Sequence, residues 1–203
     1  MTKTRLEAFS DGVIAILITI MVLELKVPEP PPGLDPRTTN ADLHMLVERW
    51  HIFLAYVLSF IFVGIYWANH HHLLHTVTRV TGGMLWANMH LLFWLSLVPF
   101  TTHWMGVTEF ARWPTAMYGI VLVACAVAWT MLQSLIIRAH GPESSLKQAV
   151  GDDWKGKVSL LAYIIAIPIA IFGLPEVSLG LYVIVALIWL VPDRRIERQL
   201  RHE

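Results

Sequence analysis

Read as apolar and polar positions, the chain falls into six long apolar runs, over 6–27, 51–74, 83–104, 115–137, 158–173 and 177–191. Runs of about 20 apolar residues match the hydrocarbon core of a bilayer, so each predicts a membrane helix. The last two are short for that thickness and predict local thinning or packing inside an assembly. Pro168 predicts a kink in the fifth run, and Leu174–Pro175 a tight turn before the sixth. Between the first two runs lies VPEPPPGLDPRTTNADLH, whose prolines rule out a continued helix and read as an external loop. The polar stretch RAHGPESSLKQAVGDDWKGK reads as partly helical and surface-lying.

The pattern predicts an all-α polytopic membrane protein, one six-helix domain over 1–203 with no internal repeat. Composition agrees: of 203 residues, 56% are hydrophobic and only 15% charged, unlike a soluble domain. Net charge is zero, yet its distribution orients the chain. With both termini in the cytoplasm, the inner side holds Lys3, Arg5, Arg79, Arg138, Lys147, Lys155, Lys157, Arg194, Arg195, Arg198 and Arg201. Only Lys26, Arg37, Arg49 and Arg112 lie outside, a positive-inside arrangement. The first run is expected to be retained, since acidic residues open it and no small-residue cleavage site precedes Pro28. The single Cys125 excludes an intramolecular disulfide and reads as a packing residue.

The first run, RLEAFSDGVIAILITIMVLEL, carries Arg5, Glu7, Ser10 and Asp11 at its inner edge. Ionisable groups there are costly unless paired or wet, which marks them as functional candidates. At about 100° per residue, Ile16, Ile20 and Leu23 form one stripe, with Thr19 at its border and Phe9 and Gly12 below. Asp11 lies about 140° from Ile16. Arg5 and Asp11 are about 120° apart, so each is expected to meet a different neighbour. Periodicity alone reads the stripe as packing against helix or lipid.

Two further stretches hold candidate chemistry. YWANHHHLLH closes the second run, and His71 or His72 with His75 have the spacing for a shared helix face. No HExxH pattern accompanies them, and the alternative is hydrogen bonding at a helix end or pH sensing. In LLFWLSLVPFTT, Pro99 frees a backbone carbonyl that Ser96, Thr101 or Thr102 can help compensate. A carbonyl filter of the TVGYG kind, a serial-arginine helix, a P-loop, a GxSxG elbow and a paired-carboxylate site are all missing from the sequence.

Three motifs together carry a resemblance: RxxxFSDG at Arg5, Phe9, Ser10, Asp11 and Gly12; YWxNHH at Tyr66, Trp67, Asn69, His70 and His71; and LSLxPFTT from Leu95 to Thr102. In this order the chain resembles the prokaryotic six-helix relatives of the endosomal and lysosomal potassium channel, over nearly its full length. The resemblance implies a passive potassium channel, modestly selective over sodium, assembled as a homotetramer whose four first helices line the pore. It implies an apolar constriction at Ile16, further layers at Ile20 and Leu23, and a hydroxyl layer at Thr19 linked to potassium preference. It implies that Arg5, Phe9, Ser10 and Asp11, with Trp67, Asn69, His70 and His71, form a structural polar network. No metal or cofactor is implied, only the permeant potassium ion; membrane lipid is an expected partner and nucleic acid is not. The expected location is the inner (plasma) membrane, multi-pass.

Glu24 is placed at the outer mouth, where its charge would gather cations and Lys26 would partly cancel it. Two other readings stay open on sequence grounds. One is a proton-coupled secondary transporter using Asp11 and the His70–His72 cluster. The other is an intramembrane metalloenzyme built on His70, His71, His72 and His75.

Overall fold

The computed structural model describes residues 2–26, 47–141 and 153–190, and these are helical nearly throughout. The external loop, the middle of the polar stretch and the basic C-terminal tail lie outside the described residues. The elements are α1 (Lys3–Leu23), α2 (Trp50–His75), α3 (Gly82–Ser96), α4 (Val98–Val107), α5 (Arg112–His140), α6 (Trp154–Ile171) and α7 (Pro175–Leu190). Helix is the expected solution here, because a chain crossing lipid must satisfy its own backbone donors and acceptors.

The third apolar run is two helices in line. Pro99 has no N–H to offer the carbonyl one turn earlier, so the regular ladder breaks at Leu97. The Leu97 amide instead bonds the Trp94 carbonyl at 3.1 Å, a tighter turn. Neighbouring hydroxyls turn back onto this segment: Ser96 donates to Phe93, Thr101 to Leu97 and Thr102 to Val98. Together α3 and α4 still make one apolar path from Gly82 to Val107, and among the described residues five such paths are long enough to cross a bilayer. The 16-residue α7 spans only ~24 Å, short of the ~30 Å core.

Local caps set the helix starts. Thr2 accepts from the Arg5 amide, and Thr81 from the Met84 amide. Asp153, itself in the left-handed region at φ 42°, accepts from Gly156 at 3.2 Å. Glu109 and Phe110 also have positive φ, in the turn between α4 and α5. Phe110 is held there by burial against the rings of Trp50 and His51.

The helix α5 forms the centre, packing on α3, α4, α6 and α7. Its Gly119 lets Tyr182 of α7 approach, and the Tyr182 hydroxyl donates to the Thr115 carbonyl at 3.1 Å. A buried hydroxyl cluster ties α2, α4 and α5: Ser59 Oγ lies 2.9 Å from Tyr118 Oη and 2.6 Å from Thr102 Oγ1. By contrast α1 sits at the edge, packed on α2 and α3 with only slight contact to α4. Its inward positions are Leu6, Ser10, Ile14, Leu17 and Met21, spaced three and four apart.

Candidate functional site

The packing of α1 sorts its residues into two faces. While Ile14 and Met21 are sealed, Ile16 is 57% exposed, Ile20 41% and Leu23 72%. Phe9, Gly12 and Thr19 are exposed on the same side. This stripe runs along an apolar helix and stays exposed among the described residues. A Cβ added at Gly12 would touch nothing within 4 Å, so packing within the subunit does not require glycine there.

Thr19 is oriented by its own backbone. Its hydroxyl proton points to the carbonyls of Ile16 at 2.9 Å and Ala15 at 3.1 Å. With the proton used in this way, the oxygen lone pairs are left for the exposed face. An oxygen placed in this way offers an acceptor to the exposed face, which suits a cation.

Below the stripe, α1 is fastened by polar groups. Ser10 is fully buried and donates to the Leu6 carbonyl at 2.9 Å, so its oxygen is free to accept. Asn88 of α3 donates Nδ2 to that oxygen at 2.9 Å, and its Oδ1 lies 2.7 Å from His70 Nε2 of α2. One amide thus joins three helices. Asn88 is absent from the motifs that mark the site in sequence; a buried amide in an apolar run, at MLWANMH, is the only signal it leaves. Asp11 accepts from Trp67 Nε1 at 3.1 Å. Lys3 donates to the His75 carbonyl at 2.6 Å, satisfying an orphan acceptor at the end of α2.

Not every sequence candidate joins this arrangement. Asn69 turns to its own helix, donating to the Ile65 carbonyl at 2.8 Å. Arg5 and Phe9 are on the exposed side, and among the described residues the Arg5 guanidinium has no hydrogen-bond partner. The histidines part company: His70 is buried on Asn88, while His71, His72 and His75 are exposed. The rings of His71 and His72 stand 5.7 Å apart, edge to face. Among the described residues, no three His, Cys, Asp or Glu side chains converge as metal ligands do.

At the far end of α1, Glu24 Oε2 lies 2.9 Å from His103 Nδ1 of α4. The two are close but poorly aligned for a hydrogen bond, since that nitrogen has no partner of acceptable geometry. The contact brings the end of α1 against α4.

Comparison with known proteins follows the same lines. The family model of the endosomal/lysosomal potassium channel TMEM175 matches residues 5–99, which hold the first two motifs and the third as far as Pro99. A potassium channel of Chryseobacterium sp. (strain P1-3) is 53% identical over 201 residues, 99% of each chain. The human endosomal/lysosomal proton channel TMEM175 is 33% identical over 152 residues, 73% of this chain and 29% of that protein. The crystal structure of a lysosomal potassium-selective channel TMEM175 homolog from Chamaesiphon minutus superposes with a TM-score of 0.75, at 26% identity, covering 93% of this chain and 96% of that one. A multi-pass helical bundle, the three motifs on its first four helices and near full-length identity to a bacterial relative agree: the chain belongs to the TMEM175 family.

Proposed function

We propose that the protein is a passive potassium channel of the inner (plasma) membrane, a homotetramer in which four copies of α1 surround the conduction path. The observation that carries this reading is the unpartnered stripe of Phe9, Gly12, Ile16, Thr19, Ile20 and Leu23 on a helix whose other face is locked to its subunit. One subunit cannot enclose a path, and a fourfold arrangement of that face can.

In this reading Ile16 forms the narrowest ring. Apolar rings dewet, so small changes in helix tilt switch conduction. Gly12, one turn below, widens the path on the inner side. Potassium gives up its hydration at less cost than sodium, and four Thr19 oxygens replace part of the lost shell. Selectivity is then modest, because the oxygens are few. Ser10, Asn88, His70, Asp11 and Trp67 hold α1 against α2 and α3 while the ring opens. No catalytic role and no cofactor enters this account; the ion is the only ligand.

The test is flux in liposomes under potassium and sodium gradients, wild type against Ile16→Asn. Passive, potassium-favouring flux whose preference weakens in the variant supports the assignment. Flux that is saturable, slow and tied to a proton gradient would instead favour the transporter reading on Asp11 and His70. Selectivity indifferent to Ile16 removes α1 as the filter.

A further inference from the structure

The short connection between α2 and α3, residues 76–81, is fixed at its two ends. Thr76 and Val77 close the last turn of α2, their amides on the Leu73 and Leu74 carbonyls, and the Val77 side chain is buried. Thr81 caps α3. Between these points, among the described residues, Thr78, Arg79 and Val80 make no backbone–backbone hydrogen bond. One contact holds the stretch, and it comes from 62 residues away: the Thr78 amide donates to Nε2 of His140, the last residue of α5, at 3.0 Å.

That contact fixes the state of the imidazole. A backbone N–H can only donate, so Nε2 carries a lone pair. The other nitrogen, Nδ1, lies 2.9 Å from the Ile136 carbonyl, which can only accept, so Nδ1 carries the proton. The neutral Nδ1–H ring alone meets both partners. A second proton on Nε2 sets N–H against N–H and leaves the Thr78 amide without its acceptor. Histidine takes up such a proton between about pH 5 and 8. The other charged or titratable groups at this end are Arg138 on α5, Arg79 in the connection, His75 at the end of α2, Lys3 on α1, and Asp153, Lys155 and Lys157 at the start of α6. The turns of α3 and α7 described at this end bring none. Among the described residues, none of these groups forms an ion pair with His140.

We propose that His140 is a proton-operated clasp on the face where α1 begins: neutral, it holds the α2–α3 connection to the end of α5, and protonated, it lets the connection go. The connection follows directly on His75, whose carbonyl receives Lys3 of α1 at 2.6 Å, so its release loosens the footing of α1. The proposal rests on the multi-pass fold and not on ion conduction, so either reading can fail without the other.

The test is millisecond hydrogen exchange of the full-length protein in lipid nanodiscs at about pH 8 and about pH 5.5, either side of the histidine titration. It is read on the peptides covering 76–81 and corrected for the intrinsic pH dependence of amide exchange. In wild type, protection there should fall several-fold at the lower pH. His140→Gln keeps an acceptor that does not ionise, so its protection should stay high at both values; His140→Ala should be low at both. Carbon-13 spectra of histidine-labelled protein, with the His140 signal identified by its loss in either variant, read the tautomer directly, and the Nδ1–H form is expected at the higher pH. Wild-type protection indifferent to pH, a fall of the same size in His140→Gln, or a neutral ring with its proton on Nε2 overturns the proposal.

Discussion

Asn88 Oδ1 stands 2.7 Å from His70 Nε2, and because the same amide gives its N–H to Ser10, the proton between them belongs to the histidine. The imidazole is therefore a donor at Nε2, and the amide cannot be flipped without breaking both contacts. Asn88→Leu keeps the volume but takes the acceptor from His70 and the donor from Ser10 together, leaving Ser10 only its bond to Leu6. It should destabilise the subunit by about 2–4 kcal/mol, beyond either single hydrogen bond. Thermal unfolding in detergent followed by size exclusion measures this, and an unchanged midpoint would mean that the triangle adds nothing.

Thr19 offers its lone pairs rather than its proton to the exposed face of α1. Thr19→Val keeps shape and removes the oxygen, so the potassium-to-sodium permeability ratio should fall while conduction persists. Thr19→Ser should retain most of the ratio. Bi-ionic reversal potentials read both, and a valine variant with the wild-type ratio would remove the hydroxyl from the selectivity account.

Glu24 lies at the end of α1 beside His103, and in the proposed channel its charge would act on ions approaching the path. Glu24→Gln should lower potassium conductance at low ionic strength, with the difference shrinking as salt screens the site. Conductance measured across a salt series decides this. A deficit that persists at high salt would point to a structural role for the His103 contact.

Gly119 has no room for a methyl group: a Cβ there would overlap Tyr182 Oη and stand 3.1 Å from Ile167 Cγ1. Gly119→Ala should cost about 1–3 kcal/mol by overpacking. Tyr182→Phe should cost about 1 kcal/mol by losing the bond to Thr115. Combined, they should cost less than their sum, because removing the hydroxyl relieves the clash. Additive losses would show that the clash is not with that oxygen.

Asp153 caps α6 from a half-buried position, and burial holds its carboxyl above the ordinary value of 3.8, against the opposing pull of the Gly156 amide and Lys157. An acid that binds its proton more tightly when folded stabilises the fold at low pH. That stability is lost as pH rises from about 3.8 through the raised value. Asp153→Asn keeps the cap and the left-handed backbone, so it should remove this slope without loss at neutral pH. Asp153→Ala should cost about 1 kcal/mol for the cap and about 1 more for its φ of 42°. Unfolding midpoints from pH 4 to 7 test the sign.

The order of apolar runs was enough to establish an all-helical membrane bundle, because hydrocarbon leaves the backbone few other solutions. Periodicity alone also placed Ile16, Ile20 and Leu23 on one side of α1, since helix geometry is local. It did not say whether that side packs or stays free. The outcome depends on α2 and α3, which take Leu6, Ser10, Ile14, Leu17 and Met21 and leave the stripe uncovered. The break at Leu97 was foreshadowed by Pro99, a covalent feature, and the resemblance put Asp11 and Trp67 in one network without fixing their pairing, whereas the turn of Asn69 to its own helix was not foreshadowed. Those choices turn on helix rotation and on which partner arrives across the bundle. Asn88 shows the difference most clearly. In the sequence it is one amide in an apolar run, and only its place between Ser10, 78 residues away, and His70, 18 away, makes it the bolt of three helices.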